Sequence, residues 1–424
     1  MPKFRAAASR LAFAVALAAT GAAELTLTAT PAHAQKKKEQ AAPKSEYSKG
    51  FVTVYEPAAK VFNENGDLVA LKAQIPALVA AAQTGDDKMA SGRLIYNVGA
   101  KTSDVTLQRR GLDLMLASGK LPAADVPQNT FAAAQLAYNA KDYAAARTFA
   151  QQAVAAGYSG DADLLVAESY FGENQANLGI EALDKAIARK VAAGQPIPEE
   201  WLKRGIAMSY RAKLDAPSMK YAAMYAQYYP STNSWGDAIA IQRNLRGYEG
   251  QELLDLMRLA SRANALRNER DYVDYLSAVD ARRLPGEAQR VLAAGVAANL
   301  LKSNDVFVNE VRTIAAAREK ADLADLPGLE RDARAAGATG VTASAAGDAF
   351  LSYQQPAKAE EFYKIALTKP GVDTPRVMTR LGIAQLDQGK VADAQATFAK
   401  VEGARQAIAQ LWSVYAAQAS KPAS

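Results

Sequence analysis

The chain has 424 residues, half of them apolar, with 50 Lys and Arg against 44 Asp and Glu, no Cys and a single His, His33. That suffices for two to three ordinary domains or one elongated repeat array, while a formal charge of +6 scattered along the chain gives nucleic-acid binding little support. Beyond His33 the chain cannot build a thiol nucleophile, a Ser-His-Asp relay, a zinc site of His and Cys, or a His-ligated haem.

Residues 1–34 carry the three parts of a secretory signal peptide. Lys3, Arg5 and Arg10 form the basic head, the run from Leu11 to Ala23 the apolar middle, and Ala32-His33-Ala34 the small-x-small cleavage site. Glu24 and the neighbouring threonines make the run too short and too polar for a membrane span of about 20 residues. Cleavage after Ala34 is expected, with delivery to the periplasm or the medium. It would leave 47 Lys and Arg against 43 Asp and Glu, and the lack of Cys excludes attachment as a bacterial lipoprotein. Residues 35–48, QKKKEQAAPKSEYS, read as a disordered basic leader, with Lys36, Lys37 and Lys38 forming a solvated tail that keeps the exported N-terminus clear or, alternatively, offering weak attraction to an anionic membrane surface. No later stretch is apolar enough to cross a bilayer.

Residues 49–126 predict irregular helical hairpins. Asp67 to Gln83 and Asp86 to Val98 form one pair, with Thr84-Gly85-Asp86 ending one helix and capping the next. A third helix, Asp104 to Ser118, stops at Gly119 and Pro122. Over 127–232 a spacing recurs: Ala134, Ala146, Ala150 and Ala153 are separated by 12, 4 and 3 residues, and so are Ala167, Gly179, Leu183 and Ala186. Trp201 to Arg211 and Ser218 to Tyr229 add a two-helix unit, started by Asp215-Ala216-Pro217 and stopped by Pro230. Residues 233–338 keep helical periodicity but lose the spacing, which predicts divergent hairpins. Residues 339–403 restore it as Gly347, Ala359, Tyr363 and Ala366, then Gly382, Ala394, Phe398 and Val401. Residues 404–424 give a capping helix and tail, with Ala404, Ala407, Ile408, Leu411, Trp412 and Tyr415 as its buried stripe.

The intervals of 4 and 3 place Ala394, Phe398 and Val401 on one face of a second helix, antiparallel to the first. Gly382 and Ala394 are small, which suggests close backbone approach, and Gly389 suits a left-handed turn. One such hairpin cannot bury its apolar face alone, so stacking into an all-α solenoid follows. Leu381-Gly382, Gly389, Ala394 and Phe398 resemble the tetratricopeptide repeat, as do Tyr170, Leu183 and Ala186 more loosely. Gln385 and Gly179 depart from its pattern. The resemblance implies a right-handed superhelix with a concave groove for peptides or helices, and no catalysis.

Two groups are candidates for partner binding. Tyr221, Met224, Tyr225 and Tyr228 share a helical face, which fills either the inter-helix core or a recognition surface. Arg267 and Arg270 lie in a dense charged segment with Arg262, Asp271, Asp274, Asp280, Arg282 and Arg283, read as a solvated face of ion pairs or as a patch for a partner. Glu168-Ser169 is similar to the Glu-Ser pair of soluble lytic transglycosylases, but the Gly-Leu-Met-Gln segment of that family is missing. No catalytic residue, cofactor or metal is therefore expected. The leading expectation is a non-catalytic scaffold of the bacterial cell envelope with a protein or peptide partner. The alternatives are a module for cell-wall polymer or lipopolysaccharide and, behind it, a peptidoglycan-cleaving enzyme.

Overall fold

The computed structural model describes residues 46–419. The expected signal peptide, residues 35–45 of the leader and residues 420–424 lie outside the described residues. Those described form twenty α-helices and one 3-10 turn with no strand, and consecutive helices pack in pairs. Contacts divide the chain into two compact units, Met1–Ala193 and Gly194–Ser424.

The first unit contains α1 (Lys49–Asn63), α2 (Leu68–Ala81), α3 (Gly85–Lys101), α4 (Val105–Ala117), α5 (Val126–Asn139), α6 (Tyr143–Ala155), α7 (Ala162–Gly172) and α8 (Ala176–Ala192). Polar caps fix its boundaries. The Asp67 carboxylate accepts the first free N–H groups of α2, and Thr84 with Asp87 forms a capping box at α3. Buried Asp87 also accepts the amide and hydroxyl of Ser48, at 3.0 and 2.8 Å, so the end of the leader segment is tied to α3.

The second unit opens with α9 (Glu199–Arg211), α10 (Asp215–Tyr228), α11 (Thr232–Arg246), α12 (Gly250–Arg262), α13 (Glu269–Val279) and α14 (Pro285–Ala297). It continues through α15 (Val306–Arg334), α16 (Gly340–Ser352), α17 (Pro356–Leu367), α18 (Thr374–Leu386) and α19 (Val391–Phe398). The 3-10 turn Gly403–Arg405 then leads into α20 (Gln406–Ala419).

The repeated spacing has a different packing reason from the one its small residues suggest. A Cβ on Gly347 or Gly382 would run into the ring of Tyr363 or Phe398, sixteen residues on, so the glycine makes room for an aromatic of the second helix. Gly205 lies under Tyr221 in the same way, which brings α9 and α10 into the series. The turns share a register too. Lys141, Asn174, Gln354 and the expected Gly389 all adopt positive φ, seven residues beyond Ala134, Ala167, Gly347 and Gly382.

Over 233–338 the hairpins continue, but α11 is an extra helix packed chiefly on α10, after which α12 pairs with α13 and α14 with α15. Asn264 and Asn299 take the left-handed turns there. The last helix is not a simple lid on α19, since α20 also packs on α10, α12 and α18. The indole N–H of Trp412 donates to the Asp255 carbonyl at 3.0 Å, the Tyr415 hydroxyl to the Arg262 carbonyl at 2.9 Å, and the Gln418 amide to the Ala226 carbonyl at 2.6 Å. Enclosure from several sides alters the expected stripe. Ile408, Leu411 and Trp412 are buried together with Ala409 and Ala416, whereas Ala407 and Tyr415 are half-buried and Ala404 is exposed. Among the described residues no helix is long and apolar enough to cross a membrane.

Candidate functional site

In the α12 stretch LLDLMRLA, Asp255 and Arg258 stand among Leu254, Leu256, Met257 and Leu259, all buried. Charges taken out of water need partners of opposite sign and full hydrogen bonding. Asp255 receives Arg258 Nη1 at 3.1 Å and Arg380 Nε at 3.0 Å, and is also paired with Arg405. Arg380 reaches Asp348 at 2.6 Å through Nη1 and Gln251 at 2.6 Å through Nη2. Arg258 closes its Nε–Nη2 fork on Glu287 at 2.8 and 2.6 Å, and the hydroxyls of Tyr275 and Tyr363 donate to Glu287 and Asp348, each at 2.8 Å.

Three carboxylates and three guanidiniums thus neutralise one another where α12, α14, α16, α18 and the turn before α20 converge. Burial alone would raise the Glu287 carboxyl, but Arg258 and the Tyr275 hydroxyl outweigh it and hold the group at about 2. For Asp255 too, burial pushes upward and Arg380, Arg405 and Arg258 prevail, so its carboxyl lies below the ordinary range.

Beside this network a cleft of about 520 Å³ opens, walled by residues of α12, α13, α14 and the turn between α16 and α17. Its lining includes Arg258, Arg262 and Arg290, with Glu287 and Asp387 as the acids. Arg262 closes its Nε–Nη2 fork on Asp387 at 2.8 and 2.5 Å, as Arg258 does on Glu287. Arg290 differs. Its Nη1 donates to the carbonyls of Gly286 at 3.1 Å and Ser352 at 2.5 Å, and it makes no ion pair among the described residues. Burial accordingly pulls its guanidinium below the ordinary value, and the charge of Glu287 opposes this only in part.

Of the residues expected from sequence to meet a partner, Arg262 lines this cleft and the others lie elsewhere in this unit. Tyr221 is fully buried against Gly205, and Tyr225 is buried with its hydroxyl donating to Glu199 at 2.9 Å. Both serve the α9–α10 packing, and Tyr228, 46 % exposed, is the one tyrosine of the three that faces outward. Arg267 pairs with Asp237 at 2.8 Å, and Arg270 with Asp274 at 3.6 Å. Glu168 is buried in α7 with the Tyr138 hydroxyl 3.4 Å away, and the Ser169 hydroxyl donates to the Leu165 carbonyl at 2.7 Å. The positions of the spacing, Ala134, Ala146, Ala167, Gly179, Gly347, Ala359, Gly382 and Ala394, are buried inside their hairpins.

Asp255, Arg258, Glu287, Arg290 and Arg380 were not singled out by sequence reasoning. The available cue was two charges set in the unbroken apolar run of LLDLMRLA, where a solvated face is impossible. Among the described residues no cluster of acidic or imidazole groups is suited to a metal ion. No protein-family model and no curated protein matches the chain.

Proposed function

We propose that the chain is an exported, non-catalytic scaffold of the bacterial cell envelope, a right-handed solenoid of the tetratricopeptide type that holds a segment of another protein. The observation that carries this is the repeated hairpin, in which four turns share one left-handed register and three hairpins set an aromatic on a glycine. Stacked hairpins of this kind give a large surface for their length. The signal-peptide pattern of residues 1–34 supports export. With Tyr221 and Tyr225 buried, the binding surface is the polar cleft of the second unit rather than a face of tyrosines.

The test is capture of partners by the mature protein in its own envelope fraction, with brief crosslinking and washes at low and high salt. A stoichiometric protein surviving high salt supports the scaffold. Recovery of wall polymer or lipid alone, lost at high salt, would replace it with polymer binding, and turnover abolished by one carboxylate substitution would replace it with an enzyme.

A further inference from the structure

We infer, resting on the scaffold reading, that the cleft of the second unit takes a carboxylate of the bound segment on the Nε–Nη2 edge of Arg290. Three guanidiniums line the cleft, and the structure shows twice what this edge holds there, since Arg258 grips Glu287 with it and Arg262 grips Asp387. The planar fork matches the two oxygens of a carboxylate, and such charge-assisted bidentate pairs are stronger than neutral hydrogen bonds.

Arg290 is oriented for the same use. The carbonyls of Gly286 and Ser352 fix it through Nη1 alone, and among the described residues no hydrogen bond occupies Nε or Nη2. Glu287, three residues before it, is already engaged by Arg258 and the Tyr275 hydroxyl. The side chains of Ser261 on α12, Tyr272 on α13 and Gln354 in the turn between α16 and α17 also line the cleft and make no hydrogen bonds with the described residues. Charge selects among anions. Three guanidiniums against Glu287 and Asp387 leave one positive charge in the lining, which balances a singly charged carboxylate and not a phosphate dianion.

The test uses the whole mature chain, residues 35–424, and an acetylated, amidated pentapeptide with one central Glu, compared with the same peptide carrying Gln. Binding is followed by ligand-observed NMR at millimolar peptide. The Glu peptide should bind, and the Gln peptide about tenfold more weakly or worse. Arg290→Gln should weaken the Glu peptide by a similar factor, with Arg290→Lys restoring only part because an ammonium lacks the fork. Ser261→Glu disturbs no hydrogen bond and should reduce binding by repulsion, which covers the case in which Arg290→Gln does not fold.

Equal binding of the two peptides, unchanged binding in these variants, failure of the Glu peptide to bind the unmodified chain, or tighter binding of inorganic phosphate would each overturn the assignment. The failures are separable. A partner captured from the envelope with equal yield by the Arg290→Gln chain removes the carboxylate site and leaves the scaffold. Arg290-dependent peptide binding without any captured partner removes the scaffold and leaves the site.

Discussion

Lys141, Asn174, Gln354 and Gly389 adopt one backbone conformation at one register, although only the last is the residue type that adopts it freely. The left-handed region costs an L-residue about 1 kcal/mol, a penalty that packing of a whole hairpin outweighs. Gly389 was therefore legible as a turn and the other three were not. Lys141, exposed and with φ 61°, tests the point. Lys141→Gly should stabilise the first unit by about 0.5–1 kcal/mol in thermal or urea unfolding, and a loss of stability would show that the turn is not strained. Gly382→Ala should do the reverse in the second unit. Its methyl meets the Phe398 ring, so destabilisation of about 1–3 kcal/mol is expected from the same measurement.

Helices of the second unit are joined by charges that no local pattern could have paired, since Arg380 and Arg405 lie 125 and 150 residues from Asp255. Sequence reasoning reaches interactions within a turn or a hairpin, where spacing sets contact; across that separation only the fold decides which charges meet. Removing one member strands the others in a dry interior. Asp255→Ala should cost about 3–5 kcal/mol in urea unfolding, whereas Lys185→Ala, which breaks the exposed pair with Glu181, should cost less than about 0.5 kcal/mol. Similar losses from the two would mean that the network contributes little.

Acid should act through Glu287. Its carboxyl is depressed from 4.5 to about 2 in the folded chain, so its stabilisation is complete above about pH 4.5 and is lost as the pH falls through about 2. Glu287→Gln should flatten the dependence of stability on pH across that window, and an unchanged slope would count against the ion pair with Arg258.

For the whole molecule, the all-helical class and the clear repeats at 339–403 could be read from the chain, because apolar spacing and turn glycines are local. The extra helix α11 was not visible. It shifts the pairing so that α12, rather than α11, begins the next hairpin, and the spacing is lost because Met257 and Leu292 stand seven residues before the left-handed Asn264 and Asn299, where the clear repeats have Ala or Gly. The division into two units was equally hidden, because it depends on which helices meet. Residues 193–196 between them are all exposed, so a non-specific protease should cut there first and release two fragments that keep their helicity. First cuts inside α12 or α18 would refute this division.

Amide hydrogen exchange of the chain, with and without a protein captured from the envelope fraction, tests whether a partner segment fills the cleft beside the charge network. Added protection is expected on α12, α13, α14 and the turn from Ser352 to Pro356, which wall the cleft. Protection on α10 around Tyr228 instead, with the cleft unchanged, would contradict that placement.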